Sequence, residues 1–379
     1  MIRAHKIRLH PTEEQKNYFA RAAGTARFVW NWALAEWDRQ YQAGEKPTAL
    51  KLKKLFNEIR REQFPWTWDV TKNASDQPFL DLSKAFLAFF EGKARRPKFK
   101  SKKRSKPSFY LANDQMELGD HRVWIPKLGW VNMSENLRFK GKVTGARVTR
   151  TAEWWFISVT VEVPDEKQEK RKAAVGIDVG LNRLVTLSTG EGVENQAFLK
   201  RALKKLRQAN KRLHRRVKGS KNREKARREV ARLHYRVTCL RDDVLHKLTA
   251  RLAECYGVIG IEDLNLKGLL KNRKLARSFS DAALGKLLNV LTSKVEQRGG
   301  QVIQVGRFFP SSKTCHGCGW RWEDMELSDR IFLCQNPKCA YHQFPQDRDH
   351  NAGLNILREA LRLIGLIDQV VDGTGSDAT

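Results

Sequence analysis

The sequence has no long apolar segment and few cysteines. No run of about 18 apolar residues occurs in the chain, which argues against a membrane-spanning helix. The opening residues, MIRAHKIRLHP, lack the apolar core of a secretory signal peptide. Four of the six cysteines lie between residues 315 and 339, a distribution that argues against a disulfide framework. The other two, Cys239 and Cys255, stand in apolar surroundings and are expected to be core residues. We therefore expect a cytoplasmic, intracellular protein without membrane attachment.

Acidic residues are scarce relative to basic ones. The chain contains 72 lysines and arginines but only 42 aspartates and glutamates, which gives a formal net charge of +30. Such a charge repels itself unless a polyanion neutralises it, and nucleic acid is the first candidate. The 379 residues, of which 41% are hydrophobic, suffice for two or three domains with their own cores. Nothing in the sequence indicates the oligomeric state.

The first part of the chain begins with a strand pattern followed by helical patterns. A strand-like segment at residues 4–9 precedes a T-x-x-Q capping box at residues 12–15 that opens a helix. The pattern predicts that this helix is interrupted near Gly24. Apolar spacing over residues 78–90 indicates a further helix with one buried face.

Residues 107–165 show the two-residue period of short strands separated by turns. The strand-like segments are FYL, RVWIP, GWVNM, GARVTR and WWFISVTVEV. With the opening strand they are predicted to enclose one core as a small, oligonucleotide-binding-like β-barrel formed by residues 1–10 and 107–170. The helical region, residues 11–106, is then an insertion between the first strand and the rest.

Residues 93–106, KARRPKFKSKKRSK, form a basic arm in which nine of fourteen residues are lysine or arginine. A solvated linker is one interpretation. Pro97 and the interleaved Phe99 favour an extended arm that lies along a nucleic-acid backbone. The candidate nucleic-acid-binding residues of this arm are Arg95, Arg96, Lys98, Lys100, Lys102 and Lys103.

The second part of the chain has the pattern of an α/β domain. It follows a charged segment, residues 164–172, that is predicted to be a hinge. The segments AAVGIDVG, RLVTLS, YGVIGIEDL and GGQVIQV are typical of strands covered on both faces. Between the second and third of these lie two apolar helical stripes broken at Gly219 and Ser220, which predict an antiparallel helix pair. Residues 200–236 carry seventeen lysines and arginines against two glutamates, a positive surface large enough for a duplex.

Four cysteines have the spacing of a zinc site. They are Cys315, Cys318, Cys334 and Cys339. Two pairs separated by fifteen residues can deliver four thiolates to one zinc ion, and such a closed shell is structural because it leaves no position for water. The second pair is spaced more widely than usual, so His316 and His342 remain alternative ligands.

Acidic residues follow two of the apolar strand segments in the same way. Asp178 follows AAVGI, and Glu262 follows YGVIGI. Either acid alone is more often a turn residue. Two carboxylates at equivalent positions on buried strands repel each other unless they are protonated or bridged by cations, and Mg²⁺ with a nucleic-acid phosphate is the natural bridge.

The segment QDRDHNAGLN supplies further acids at the start of the last long helix. Asp347 stands where a helix N-cap belongs. Asp349 lies in the first turn, three residues before Ala352 and seven before Ile356, on the apolar side of the helix. We therefore predict that Asp347 caps the helix and that Asp349 faces the sheet.

Seven segments occur in an order characteristic of one protein family. They are RLHPTEEQ, GTARFVWNWAL, IPKLGWV, GIDVGLNRLVTLS, IGIEDLNLKGLLKNRKLARSFSDA, FFPSSKTCHGCG and DRDHNAGLNI. On these segments the chain resembles, over nearly its whole length, the TnpB family of transposon-encoded nucleases, relatives of the type V CRISPR effectors. Gly353 departs from the alanine usual in relatives, and the second cysteine pair is two residues longer than the commonest form. Neither departure changes an acid.

The resemblance implies a multidomain fold with an RNase H-like nuclease domain of the RuvC type. This domain would comprise residues 171–310 and 342–366, with a zinc ribbon, residues 311–341, inserted. The predicted barrel would be a wedge-type domain and the helical region a recognition domain with the basic arm. Lys72 leads a helix that relatives place near duplex DNA. Residues 367–379 are expected to be a disordered tail.

The resemblance also implies a chemistry and a guide. Asp178, Glu262 and Asp349 would form an acidic triad that holds two Mg²⁺ ions, with Asp178 bridging them. Family members carry a guide RNA from their transposon end and cut double-stranded DNA that pairs with it beside a short transposon-associated motif. Two other functions stay open: a nuclease-silent RNA-guided DNA-binding regulator, and a transposase that joins DNA ends.

Overall fold

The computed structural model of the chain describes residues 1–164, 173–326 and 328–367. They form two compact units, Met1–Glu166 and Lys167–Thr379. Except for its first residue, Pro164, the predicted hinge lies outside the described residues, and so does the predicted tail except for Ile367. Within the described ranges, no helix combines the length and apolar character needed to cross a lipid bilayer.

The first unit contains one strand, a helical section and then a run of strands. The strands are β1 (Ile2–His10), β2 (Ser108–Ala112), β3 (Glu117–Gly119), β4 (Arg122–Ile125), β5 (Gly129–Met133), β6 (Lys142–Thr151) and β7 (Trp154–Glu162). The helices are α1 (Glu13–Gln42), α2 (Ala49–Gln63) and α3 (Asn73–Phe90), with short 3₁₀ segments at Pro65–Asp69 and Asn113–Gln115. The helical section is therefore inserted between the first and second strands.

The strands of the first unit form one antiparallel sheet in the order β2-β6-β7-β1-β5-β4-β3. β1 lies in the middle, paired with β7 along its length and with β5 at its end. Among the described residues, the edge strands β2 and β3 do not pair with each other. The sheet is open, and the predicted closed barrel is wrong. Its apolar face is covered by α1, whose Phe19 shares a core with Ile7 and Leu9 of β1, so burial does not require closure.

Helix α1 begins as the sequence indicates but does not break. Thr12 and Gln15 make both hydrogen bonds of the capping box. The helix then continues through Gly24, so the predicted interruption is wrong. An interior glycine costs only about 1 kcal/mol relative to alanine, and buried apolar residues on both sides of it, such as Phe19 and Val29, hold the helix against its neighbours.

The second unit alternates strands and helices. Its strands are β8 (Ala174–Val179), β9 (Arg183–Leu187), β10 (Gly192–Glu194), β11 (Val258–Glu262), β12 (Gln301–Val305), β13 (Ile331–Phe332) and β14 (Gln346–Asp347). Its helices are α4 (Phe198–His214), α5 (Lys221–Cys255), α6 (Leu266–Lys271), α7 (Ala276–Ala282), α8 (Leu284–Gln297) and α9 (Arg348–Leu363).

Five of these strands form a sheet covered on both faces. The order is β10-β9-β8-β11-β12. Strands β8, β11 and β12 are parallel, β9 is antiparallel to β8, and β10 is antiparallel to β9. One face packs on α5 and α8, through residues such as Leu248 and Leu287. The other face packs on α9, through Ile356 and Ala360. The fold of this unit is mixed α/β, as the continuous apolar strands predict.

Helices α4 and α5 pack together, which confirms the predicted helix pair. Ser220 caps α5 by accepting a hydrogen bond from the Arg223 backbone N–H at 3.1 Å. Cys239 and Cys255 are exposed, so their placement in the core is wrong. Cys239 follows the buried Val237 by two residues, and two steps of 100° turn it away from the apolar stripe.

Candidate active site and metal centre

Strands β8 and β11 carry the same glycine-x-acid pattern near their carboxyl ends. Side chains two residues apart in a strand share a face, so Gly176 shares a face with Asp178, and Gly260 shares a face with Glu262. The two glycines are register partners in the parallel pair. Asp178 and Glu262 therefore lie side by side at the carboxyl ends of two interior strands, on the face of the sheet that α9 covers.

The two glycines let α9 lie directly on the sheet. A Cβ atom added to Gly176 would lie 2.1 Å from the carbonyl oxygen of Gly353, and one added to Gly260 would lie 2.8 Å from the Ala360 Cβ. A side chain at either glycine would push the helix away. Because Asp349 precedes Gly353 by one helical turn on the same side of α9, this close approach brings its carboxylate toward β8.

Asp347 caps α9, as predicted. Its Oδ1 accepts hydrogen bonds from the backbone N–H groups of Asp349 and His350 at 3.0 and 3.1 Å. Its Oδ2 accepts from Arg183 Nη1 at 2.7 Å. Although burial opposes the shift, the His350 N–H and the Arg183 guanidinium hold the pKa of Asp347 below its usual value.

Asp178 has the environment of a carboxyl group that is costly to ionise. Burial, together with the charges of Glu262 and Asp349, raises the pKa of Asp178 to about 7 from 3.8. Arg348 and the Val179 backbone N–H act in the opposite direction. Asp178 is therefore close enough to both Glu262 and Asp349 for their negative charges to oppose its ionisation.

The other two acids have protein partners. The Ser311 hydroxyl donates a hydrogen bond to Glu262 Oε1, and Arg348 Nη2 lies 3.2 Å from Asp349 Oδ1. Among the described residues, the four cysteines form a cluster that could hold a metal ion, and the three carboxylates do not form such a cluster. Carboxylate oxygens are nonetheless the hard donors that Mg²⁺ prefers, and a buried acid beside two other acids gains from a bound cation. The donor set fits Mg²⁺.

The raised pKa of Asp178 predicts a pH-dependent stability difference. Between its unfolded value of 3.8 and about 7, the folded protein binds more protons at this site than the unfolded chain, so the contribution of Asp178 to stability falls as the pH rises. Asp178→Asn removes this loss. In EDTA, we expect the unfolding free energy of the variant to increase relative to that of the wild type from pH 5 to pH 7.5, by up to about 1.4 kcal/mol per pH unit. This change should appear as a Tm advantage of the variant that grows with pH.

Asp347→Asn is the matched control for this measurement. The lowered pKa of Asp347 means that its carboxylate stabilises the fold above its unfolded pKa and that this contribution is lost as the pH falls. Its replacement should therefore give no Tm advantage over the wild type that grows with pH. An Asp178→Asn variant whose Tm advantage is the same at pH 5 and at pH 7.5 would contradict the assignment.

The four predicted cysteines meet at one point. Their sulfur atoms lie within 4.8 Å of one another, with Cys315 and Cys339 Sγ 3.8 Å apart and Cys318 and Cys334 Sγ 3.6 Å apart. A tetrahedral ion with bonds of about 2.3 Å places its ligands about 3.8 Å apart. The geometry fits one zinc ion. His316 is not needed as a ligand, because its Nδ1 lies 3.0 Å from Asn351 Oδ1.

The segment that carries the cysteines is joined to α9 by buried amides that the sequence analysis did not single out. Asn351, 1% exposed, accepts a hydrogen bond from the His316 backbone N–H at 2.9 Å and donates to the Thr314 carbonyl at 2.7 Å. Asn355, 3% exposed, donates to the Ser311 and Thr314 carbonyls. Only the motifs FFPSSKTCHGCG and DRDHNAGLNI signalled these residues. Ser311 thus links the cysteine segment to both α9 and Glu262.

The basic arm is fastened to α1 by its backbone. Trp30 Nε1 donates to the Lys98 carbonyl at 3.1 Å, and the Asn31 side chain both donates to and accepts from the Lys100 backbone. Lys100 Nζ lies 3.4 Å from the centre of the Trp30 ring, and burial lowers its pKa to about 8. Lys100 is therefore turned inward, whereas Lys98 is exposed.

The other candidate contacts lie on the surface. Arg96 pairs with Asp38 at 2.7 Å, and Lys72, which directly precedes α3, lies 3.7 Å from Asp114. Arg95, Lys102 and Lys103 are exposed. Polyanions can therefore reach most of the predicted nucleic-acid-binding residues.

Three family descriptions match parts of the chain. Residues 1–46 match a helix-turn-helix domain, residues 156–273 a probable transposase, and residues 285–356 the TNB domain of Cas12f1-like proteins. The first description differs from the structure, in which residues 1–46 contain one strand and the single helix α1.

Relatives match nearly the whole chain. The "Putative RNA-guided DNA endonuclease" of Streptomyces pristinaespiralis is 35% identical, over 95% of this chain and 89% of the relative. The "Putative RNA-guided DNA endonuclease InsQ" of Escherichia coli K12 is 29% identical, over 98% and 96%. In fold, the chain is similar to the protein in a Cas12f1–sgRNA–target DNA complex, with a TM-score of 0.59 at 16% identity over 91% of this chain and 83% of that one.

Proposed function

The chain belongs to the TnpB family, and on this premise we propose that it is an RNA-guided DNA endonuclease. It would bind a guide RNA derived from a transposon end, recognise a short flanking motif and hydrolyse double-stranded target DNA. The observation that carries the nuclease assignment is geometric: Asp178 and Glu262 follow register-paired glycines on neighbouring strands, and α9, which begins with Asp349 in its first turn, packs directly on those glycines. All three acids that a RuvC-like site requires are present in the chain.

We assign the acids as ligands of two Mg²⁺ ions. Bound Mg²⁺ would supply Lewis acidity, which lowers the pKa of an attacking water and stabilises charge on the leaving oxygen. Asp178, whose charge interacts with both other acids, would hold these ions together with Glu262 and Asp349. Ser311 and Arg348 hold the latter two carboxylates before a cation arrives. The RuvC-like domain would comprise residues 171–310 and 342–366.

The remaining parts would hold nucleic acid and the fold. Residues 311–341 would form a zinc ribbon with one structural zinc ion on its four cysteines. Residues 1–10 and 107–170 would act as the wedge domain, and residues 11–106 as the recognition domain. Base pairing to the guide supplies sequence choice in such systems, while the protein grips shape and charge. The exposed cations of the basic arm suit that task.

A single assay separates this function from its alternatives. The protein is purified with the RNA that accompanies it, that RNA is sequenced, and a plasmid bearing the matching target beside candidate flanking sequences is added with Mg²⁺. We expect cleavage that requires the RNA, the target and Mg²⁺. Guided binding without cleavage would indicate the nuclease-silent regulator. Joined DNA ends formed without RNA would indicate a strand-transfer transposase.

A further inference from the structure

Phe308 is the most exposed large apolar side chain among the described residues, with 93% of its surface accessible. Its neighbour Phe309 packs with Val305, Ile356 and Ala360 between the sheet and α9. Of the two adjacent phenyl rings, one therefore packs against the core and the other is exposed to solvent. Full burial of a phenylalanine side chain stabilises a fold by about 1.5–3 kcal/mol. The exposed Phe308 side chain does not contribute this stabilisation.

The turn that carries Phe308 is firmly held. It follows β12, and the Phe309 backbone N–H donates to the Gly306 carbonyl at 3.0 Å. On one side of Phe308, Arg307 Nη2 bonds Asp263 Oδ2 at 2.6 Å. On the other side, the Ser311 N–H donates to the Phe309 carbonyl at 2.9 Å. The exposed ring is thus presented by a fixed backbone.

The anchors of the turn place it beside the acidic cluster. Asp263 directly follows Glu262 at the end of β11, and its N–H donates to the Val305 carbonyl at 3.1 Å. Ser311 donates its hydroxyl to Glu262 itself. Residues on both sides of Phe308 are therefore bonded to the end of the strand that carries one of the three acids. The turn that carries Phe308 is therefore attached next to the acidic site.

We propose that Phe308 is a stacking platform for an unpaired nucleobase of the strand whose phosphate enters the acidic site. This inference rests on the proposed function and adds to it a residue that positions the substrate strand. An aromatic face can stack on any base that has left a duplex, whereas paired bases expose only their edges in the grooves. The ring should accordingly bind a single-stranded segment in preference to a duplex, without sequence preference for the stacked base.

Stacking makes a specific demand on the side chain. Base–aromatic stacking is worth enough that its loss should weaken binding of single strands by about five- to 150-fold. Phe308→Trp keeps a flat ring and should bind at least as tightly as the wild type. Phe308→Leu keeps an apolar side chain but has no flat face and should show the full loss. Because the side chain is exposed, neither change disturbs the core.

The test measures binding, independently of cleavage. The RNA-loaded protein carries Asp178→Asn so that the probe stays intact, and the probe is a single-stranded DNA oligonucleotide with 2-aminopurine in place of adenine. We expect quenching of the probe fluorescence by the Phe308 and Phe308→Trp forms and its loss in Phe308→Leu. The matched control is Phe344→Leu, a change at another exposed phenylalanine of the same unit, 61% accessible, which should leave the quenching intact.

Two results would overturn the proposal. One is equal affinity and equal quenching in Phe308 and Phe308→Leu proteins. The other is a loss in Phe344→Leu as large as that in Phe308→Leu. Failure of the proposed nuclease function would show differently, as an absence of RNA-dependent plasmid cleavage by the protein with Asp178 intact.

Discussion

Asp178→Asn, Glu262→Gln and Asp349→Asn are each expected to abolish guided DNA cleavage while RNA binding stays within about threefold of the wild type. Each change removes one charged oxygen ligand without altering size or the basic surfaces. Metal ions contribute several kcal/mol of transition-state stabilisation, so the loss of a ligand should lower the rate by about a thousandfold or more. Single-turnover cleavage of a matched plasmid by the RNA-loaded protein measures the effect.

Asp347→Asn is the internal control, because it makes the same chemical change two residues from Asp349. Asparagine caps helices about as well as aspartate, and the Arg183–Asp347 pair is partly exposed and contributes little. Cleavage should therefore remain within about threefold of the wild type. Rapid cutting by the Asp349→Asn protein would refute the triad. A second readout does not depend on activity. Mg²⁺ at a concentration of a hundred times its Kd should stabilise the wild type by up to about 2.7 kcal/mol more than it stabilises Asp178→Asn, and the Tm of the wild type should rise accordingly.

Cys334→Ser is expected to remove the bound zinc and unfold the segment around it. Structural zinc sites contribute about 10–16 kcal/mol in zinc-finger peptides, far more than the few apolar residues of this segment can supply. Trp320 and Trp322 pack edge-on against Phe332 beside the cysteines, so their fluorescence should shift to the red. Elemental analysis should show the zinc content fall from about one ion per chain, the number that one four-thiolate site holds, toward zero.

The exposed Cys239 on α5 provides the control for this experiment. Cys239→Ser makes the same atom change on a surface away from the cluster, and it should alter stability by no more than about 0.5 kcal/mol. A Cys334→Ser protein with full zinc and unchanged tryptophan emission would contradict the four-cysteine site. Loss of zinc should also impair cleavage, because Ser311 and Asn355 connect this segment to Glu262 and α9.

The parts of the fold that the sequence revealed are those with a clear local signal. The long apolar strands β8, β11 and β12, the capping box of α1 and the helix pair of the second unit all follow from period and cap residues. β3 and β10 are three residues long and show no usable period. The continuity of α1 through Gly24 and the open sheet of the first unit depend on packing between distant segments, which no local pattern reports.

The candidate site divides in the same way. The order of glycine, apolar residue and acid on β8 and β11 places Asp178 and Glu262 on one face of the sheet. The N-cap position assigns different roles to Asp347, which caps α9, and to Asp349, which lies in its first turn. Their supports could not be found from local patterns: Ser311 reaches Glu262 across 49 residues, and Asn351 reaches Thr314 across 37. Cys239 was misjudged because an apolar neighbourhood in the sequence does not fix which side of a helix faces the core.

The position of α9 after β8 and β11 in the chain has a consequence for the nascent protein. A ribosome makes the basic arm, β8 and β11 before it makes Asp349. The helix that lies on the sheet and fastens the cysteine segment is thus translated after both strands that carry the other two acids. A chain whose synthesis stopped before α9 would have the basic arm but would lack the third acid.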